Sequence, residues 1–342
     1  EAAAFMSITM PLVYYKAKGL SVDQTGSIVR KNKIFAKISR PEVAEAFMSP
    51  APQKLLNELV EMGKITKLQA DIAASLPIAD AITVEADSGG HTDQGVALAL
   101  FPAIKKICGN CMKKYNYADR IYIGAAGGIG TPEAMLAMFM LGADYVLTGS
   151  LNQCTVEADT SDAVKDILQN IGVQDTGYAP AGDMFEYGAK VQVVKKGGFF
   201  HARANKLYSL YCNNESLEEL DETTRKNLES KYFKCSFDEV YNKVKQHYDQ
   251  DIIRKADNNP KYRMSLIFRW YFHNATVSAI SGDMDNKVNF QIHCGPALGA
   301  FNECVRGTEL ESWKNRHVDS IGIFLMEGTA MLLEKMIGSY SK

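Results

Sequence analysis

The first part of the chain alternates short apolar runs with helix-like stretches, and that alternation limits the architectures open to it. The runs are AAAFMSI (2–8), KIFAKIS (33–39), AITVEADS (81–88), RIYIGAA (120–126) and DYVLTGS (144–150). Between them, 40–48, 51–75, 94–115 and 131–142 carry helical patterns. Strands alternating with helices build parallel βαβ units. Near-continuous apolar strands fit a sheet covered on both faces. In GGIGTPEAMLAMFMLGADYV, Thr131 suits an N-cap, Pro132 the first helical position and Glu133 the first turn, and Gly142 closes the helix. Five such units are too few to close an eight-stranded barrel. They imply either an open five-stranded sheet or the later part of a (β/α)8 barrel whose first three units are absent from this sequence.

The glycines favour the barrel. Strand 120–126 runs into GAAGGIGTPE and strand 144–148 into TGSLNQ. Glycine at a strand end lets backbone N–H groups approach a ligand, and the following helix N-terminus adds a positive dipole end. Paired sites of this kind after the last strands of a barrel form a recurrent phosphate-binding arrangement. Taken singly, each glycine also satisfies a tight turn. A dinucleotide fingerprint fits poorly: Gly128-Ile-Gly130 begins one, but position 133 is Glu. The phosphate is that of a sugar phosphate, a nucleotide or FMN.

The stretch VEADSGGHTD (84–93) ends the preceding strand and places Gly89, Gly90 and His91 at the same rim. Two glycines admit a flat ligand close to the backbone, and His91 is placed to deliver a proton beside it. Three other readings stay open here. His91 is a loop histidine bound to its neighbours, a phosphate ligand, or part of a metal set with Glu85, Asp87 and Asp93.

Beyond about residue 165 the pattern becomes helical, at 216–233, 236–250, 260–281 and 318–338. Ser216 and Glu219 have capping-box spacing. The expected fold is therefore α/β: a TIM (β/α)8 barrel entered partway over 1–165, with a mainly helical accessory domain over 166–342. A net charge of −2 gives no reason to expect nucleic acid. No apolar run approaches the ~18 residues of a membrane span, so no membrane partner is expected. EAAAFMSITMPL lacks the basic start of a signal peptide. Seven scattered cysteines indicate a reducing cytoplasm, and Cys108 and Cys111 read as plain loop thiols, with a zinc or redox pair as the alternative.

EADSGGHTD, GAAGGIGTPEAMLAMFMLGADYVLTGSLNQ and APAGDMFEYGAKVQVVKKGGFF resemble the flavin-dependent, trans-acting enoyl reductases of polyketide and polyunsaturated fatty acid synthases. KYRMSLIFRWYF and QIHCGPALGAFNECVRGT resemble the same family's C-terminal portion. A wider kinship takes in FMN-dependent enoyl-[acyl-carrier-protein] reductases and nitronate monooxygenases. The resemblance implies bound FMN reduced by NADPH or NADH. Hydride then passes from the flavin to the β-carbon of an enoyl thioester on an acyl carrier protein. By position, His91 is the proton-related residue, and Gly127, Gly128, Gly149 and Ser150 match the FMN phosphate loops. Ser88, Gly89 and Gly90 should border the isoalloxazine, and Lys37 lies where a cation would face its N1 and O2. A nitronate monooxygenase is the alternative enzyme, and a non-catalytic docking component of a synthase is the alternative without chemistry. A homodimer is compatible with any of these. An acidic carrier needs a basic landing surface, for which Lys195, Lys196, Arg203 and Lys206 beside Phe199 and Phe200 are the candidates.

Overall fold

The structure is a computed structural model that describes residues 8–340. Among these residues the strands are β1 (Leu20–Val22), β2 (Ile28–Arg30), β3 (Phe35–Ile38), β4 (Ala81–Glu85), β5 (Gly90–His91), β6 (Tyr122–Ala126), β7 (Tyr145–Leu147), β8 (Thr176–Pro180) and β9 (Lys190–Val194). The chain forms two compact units. The first comprises the chain up to Asp87, Asp93–Thr148 and the chain from Phe324; the second is Ser88–Thr92 with Gly149–Ile323. The division falls at 148/149, and the last helix, Val318–Tyr340, belongs to the first unit from Phe324 onward.

In the first unit β3, β4, β6 and β7 pair in sequence order, all parallel. Adjacency in chain order is how neighbouring staves of a (β/α) barrel are laid down. Four of the five expected strands are here, and the fifth (2–8) lies outside the described residues except for Ile8. β4 is buried from Ala81 to Val84, as a strand covered on both faces must be. Tyr145 on β7 hydrogen-bonds Thr83 of β4 through its hydroxyl at 2.8 Å, so the polar atoms inside the sheet satisfy one another. At the opposite end, buried Lys16 donates to Asp80 Oδ2 at 2.6 Å, and Asp80 also accepts from Ile34 N at 2.9 Å. That pair ties the helix Met10–Lys18 to the sheet.

The helix signals are realised where capping chemistry is complete. Thr131 Oγ1 accepts from Ala134 N at 3.3 Å, and Gly142 leaves the helix Pro132–Met140 at φ +89°. The stretch 51–75 is instead two helices, Gln53–Glu61 and Lys67–Ala73. Gly63 at φ +65° separates them, and a reciprocal Thr66–Gln69 box opens the second. The Ser216–Glu219 box does not form. Glu219 accepts from Glu215 N, and Asp221 caps the helix Glu222–Asn227.

The second unit is not purely helical. β5, β9 and β8 form an antiparallel sheet in that order, which the expectation of a helical region missed. β8 pairs with all five residues of β9. Two segments therefore share the other edge of β9: β5, through Gly90↔Gln192, and the 292–294 segment, through a Val193↔His293 bridge. Around this sheet the core is aromatic. Phe185, Phe200, Phe268, Tyr271 and Phe272 are buried, with Phe185 ringed by Tyr208, Tyr211, Phe268 and Phe272 at 5.2–6.4 Å. The long helix Pro260–Ser281 supplies three of these rings.

Candidate functional site

The chain leaves the first unit after Asp87 and returns at Asp93, and Asp87 N donates to Gly95 O at 2.8 Å within that unit. The excursion Ser88–Thr92 carries the glycine pair and His91. Of the residues expected at the site, Lys37, Gly127 and Gly128 belong to the first unit. Ser88, Gly89, Gly90, His91, Gly149 and Ser150 belong to the second.

In the first unit, Gly127 and Gly128 follow β6 at φ +85° and +74°. Both angles favour glycine, but the surroundings differ. A Cβ on Gly127 would lie 2.6 Å from Ala86 O, so that glycine is fixed by its close approach to the end of β4. A Cβ on Gly128 would meet nothing within 4 Å. A positive-φ glycine pair whose second member has open space, just ahead of the Thr131-capped helix, suits an anion. Lys37 Nζ lies 2.7 Å from Glu85 Oε1, so its ammonium is already matched by a carboxylate.

In the second unit, the two segments on the β9 edge converge. A Cβ on Gly89 would lie 2.7 Å from Gly295 N, 2.7 Å from Ser150 Oγ and 2.8 Å from the Cys294 carbonyl carbon. Ser150 Oγ accepts from Gly295 N at 2.9 Å. Beside it, burial pushes the Cys294 thiol up to about 12, so it is no nucleophile at neutral pH. Gly149 faces open space, with nothing within 4 Å of a Cβ built there.

His91 stands half-exposed at the end of β5, its Nε2 2.9 Å from Asp183 Oδ1. A carboxylate only accepts, so Nε2 carries a proton and Nδ1 is the atom left to exchange one. On the other side of Gly90 is His293, whose Nδ1 lies 3.6 Å from where a Gly90 Cβ would sit. Gln291 Oε1 accepts from Thr276 at 3.2 Å, which leaves its Nε2 to donate to His293 Nε2 at 2.8 Å. Burial holds the His293 imidazole below the usual histidine range; a charge on His91 lowers it further, and Asp183 opposes them.

Asp183 and His293 were not singled out in the sequence. For His293 the signal is NFQIHC (289–294), where polar Gln291 and His293 alternate with Phe290 and Ile292 and so share one face. Of the metal reading's four residues, three have other partners. Glu85 pairs with Lys37, Asp93 with Ser39 and Arg40, and His91 with Asp183. No group of three candidate ligands exists among the described residues. Cys108 and Cys111 sit on the helix Ala97–Tyr115 rather than in a loop; both are buried, with Cys108 pushed up to about 11 by burial. Two members of the expected basic cluster have partners within the protein. Lys196 is bound to Asp175 at 2.9 Å, and Arg203 lies over the Phe199 and Tyr232 rings while donating to Asn289. Phe200 is core. No helix among the described residues is long and apolar enough to cross a membrane.

The enoyl reductase domain of MlnA, from the macrolactin biosynthesis cluster of Bacillus amyloliquefaciens, is 47% identical to this chain. The two superpose with a TM-score of 0.95 over 98% of this chain and 76% of that one. The chain belongs to the family of that domain. Members of this family occur within larger proteins. The polyketide biosynthesis protein PksE of Bacillus subtilis is 58% identical over 99% of this chain, which spans 44% of PksE. One of the polyunsaturated fatty acid synthase subunits of Thraustochytrium is 41% identical over 91% of this chain, and the match covers 21% of that protein. Residues 214–290 match the family model described as the [acyl-carrier-protein] S-malonyltransferase inserted helical domain. This chain thus spans less than half the length of either curated relative.

Proposed function

We propose that this chain is the flavin-binding, proton-delivering portion of an enoyl reductase. It saturates the α,β double bond of enoyl thioesters carried on an acyl carrier protein, acting in trans in polyketide or fatty acid synthesis. The observation that carries the reading is the His91–Asp183 pair behind a glycine turn, in a chain of the MlnA enoyl reductase domain family. Saturation needs a hydride at the β-carbon and a proton at the α-carbon. FMN, reduced by NADPH or NADH, supplies the hydride when bound.

The chain's own residues suit the remaining tasks. In the first unit Gly128 offers a backbone N–H with open space beside it, behind the turn held by Gly127, and this suits the FMN phosphate; in the second unit Gly149, next to Ser150, has open space of the same kind. Ser88, Gly89 and Gly90 form the turn assigned to the isoalloxazine border. Lys37, matched by Glu85, is suited to act as a hydrogen-bond donor to the flavin more than as a surplus charge. His91 holds the transferable proton at Nδ1, and Asp183 stabilises the imidazolium through Nε2.

Purified protein should be yellow, and NADPH should bleach it anaerobically. His91→Ala should slow crotonyl thioester reduction about 100-fold or more, the size expected of a lost general acid, while flavin content stays near wild type. A colourless protein that takes up no FMN, or His91→Ala turning over normally, counts against the reading.

A further inference from the structure

Two imidazoles flank Gly90, and their surroundings give them different capacities. His91 is half-exposed and hydrogen-bonded to the Asp183 carboxylate through Nε2, so its Nδ1 is open to exchange a proton with water. His293 is mostly buried, and its Nε2 is occupied by the amide of Gln291, itself fixed by Thr276. It has no carboxylate hydrogen bond among the described residues. Accepting a second proton would require breaking the Gln291 contact and charging a desolvated ring. His293 is therefore a neutral imidazole with its proton on Nδ1. That N–H takes no hydrogen-bond partner among the described residues and faces the space beside Gly90. A buried ring held by a two-link hydrogen-bond chain, with one donor left over, is a pre-aimed dipole.

We propose that His293 is a second catalytic residue: its Nδ1–H binds the thioester carbonyl oxygen of the substrate and stabilises the enolate formed there, while His91 delivers the proton. The proposal rests on the enoyl reductase reading above, which accounts for the hydride. When the hydride adds to the β-carbon, the double-bond electron pair moves onto the thioester oxygen as an enolate. The His293 N–H strengthens its hydrogen bond to that oxygen without transferring its proton. As the carbonyl re-forms, the α-carbon takes the proton from His91 Nδ1, leaving His91 neutral until water reprotonates it. Gln291 and Thr276 are positioning residues, since they fix the His293 tautomer without reaching the substrate.

The test uses butyryl N-acetylcysteamine thioester labelled with carbon-13 at its carbonyl, bound to the flavin-loaded protein. Its infrared carbonyl band should shift to lower frequency on binding to wild type and return to the free position in His293→Leu. His293→Asn, which restores an N–H near the Nδ1 position, should recover part of the shift. Enoyl turnover should fall about 100-fold or more in His293→Leu, as for loss of one oxyanion donor, with NADPH bleaching of the flavin unchanged. Should His293→Leu fail to fold, His91→Gln still decides: it must slow turnover about 100-fold or more and leave the band shifted. If His91→Gln removes the shift and either His293 variant keeps it in full, the assignment is overturned while the enoyl reductase reading stands. A wild-type protein that neither binds flavin nor reduces enoyl thioesters overturns that reading instead.

Discussion

Replacing Gly89 by alanine separates a packing glycine from a ligand-facing one. Its backbone φ is not in the left-handed region, so the cost of Gly89→Ala is steric rather than conformational. The new methyl would sit 2.7 Å from Gly295 N and Ser150 Oγ and 2.8 Å from the Cys294 carbonyl carbon. Ordinary contact begins near 3.4 Å, so the approaches are short by about 0.6–0.7 Å. Two of the three atoms are backbone and cannot rotate away. Relief requires β5 or the 292–294 segment to move off the β9 edge they share. Overpacking of this kind costs about 1–3 kcal/mol, and stretching the Ser150–Gly295 hydrogen bond adds about 1 kcal/mol. The sum of about 2–4 kcal/mol corresponds to a melting point lower by roughly 4–16 °C. Gly149→Ala is the control, because nothing lies within 4 Å of its added methyl. It should stay within about 0.5 kcal/mol of wild type yet lose flavin on dialysis. Scanning calorimetry with a flavin absorbance measurement reads both. A Gly89→Ala protein as stable as wild type would refute the convergence of the two segments, and a Gly149→Ala protein that keeps its flavin would refute the cradle.

Two further outcomes follow from buried polar groups. Burial lowers the pKa of His201, His273 and His293 below 6.5. Each is then a group whose unfolded form binds more protons. Its stabilisation is complete above about pH 6.5 and is lost as pH falls through the depressed native values. Urea unfolding from pH 8 to 5 should show stability declining below pH 6.5, well before carboxylates titrate near pH 4, and His293→Asn should flatten part of the slope. Constant stability across that range would refute the neutral assignment. Arg316 is 1% exposed and donates to Leu310 O, Glu311 O, Asn302 Oδ1 and Cys154 Sγ. Arg316→Met leaves several buried acceptors unpaired and should cost about 3 kcal/mol or more in urea titration. Arg316→Lys should recover little, because one ammonium cannot span the fork.

How much of this was legible depended on whether the signal was local. The β4 and β6 strands and the helix Pro132–Met140 could be read because burial on both faces, a Thr-Pro-Glu start and a closing glycine each act within a few residues. The β8–β9 ribbon was missed because its alternation is masked: Gln192 is buried along with Val191 and Val193, so KVQVV reads neither as half-exposed nor as wholly apolar. The Ser216 box failed for a related reason. The spacing was right, but Asp221 had the better geometry five residues on. At the site, the glycines announced themselves as a class while their separate duties did not. Gly89 answers to Gly295, which is 206 positions further along, and Gly127 to the end of β4, whereas Gly128 and Gly149 answer to no protein atom. Only the last kind points to a ligand, and telling it from the others requires knowing what lies across the gap. His91 and His293 make the same point in chemical terms. Two histidines equal in the sequence become a proton carrier and a fixed donor, because one meets a carboxylate and the other an amide. The division of labour proposed here is therefore set by Asp183 and Gln291, and exchanging those two partners' chemistry should exchange the roles.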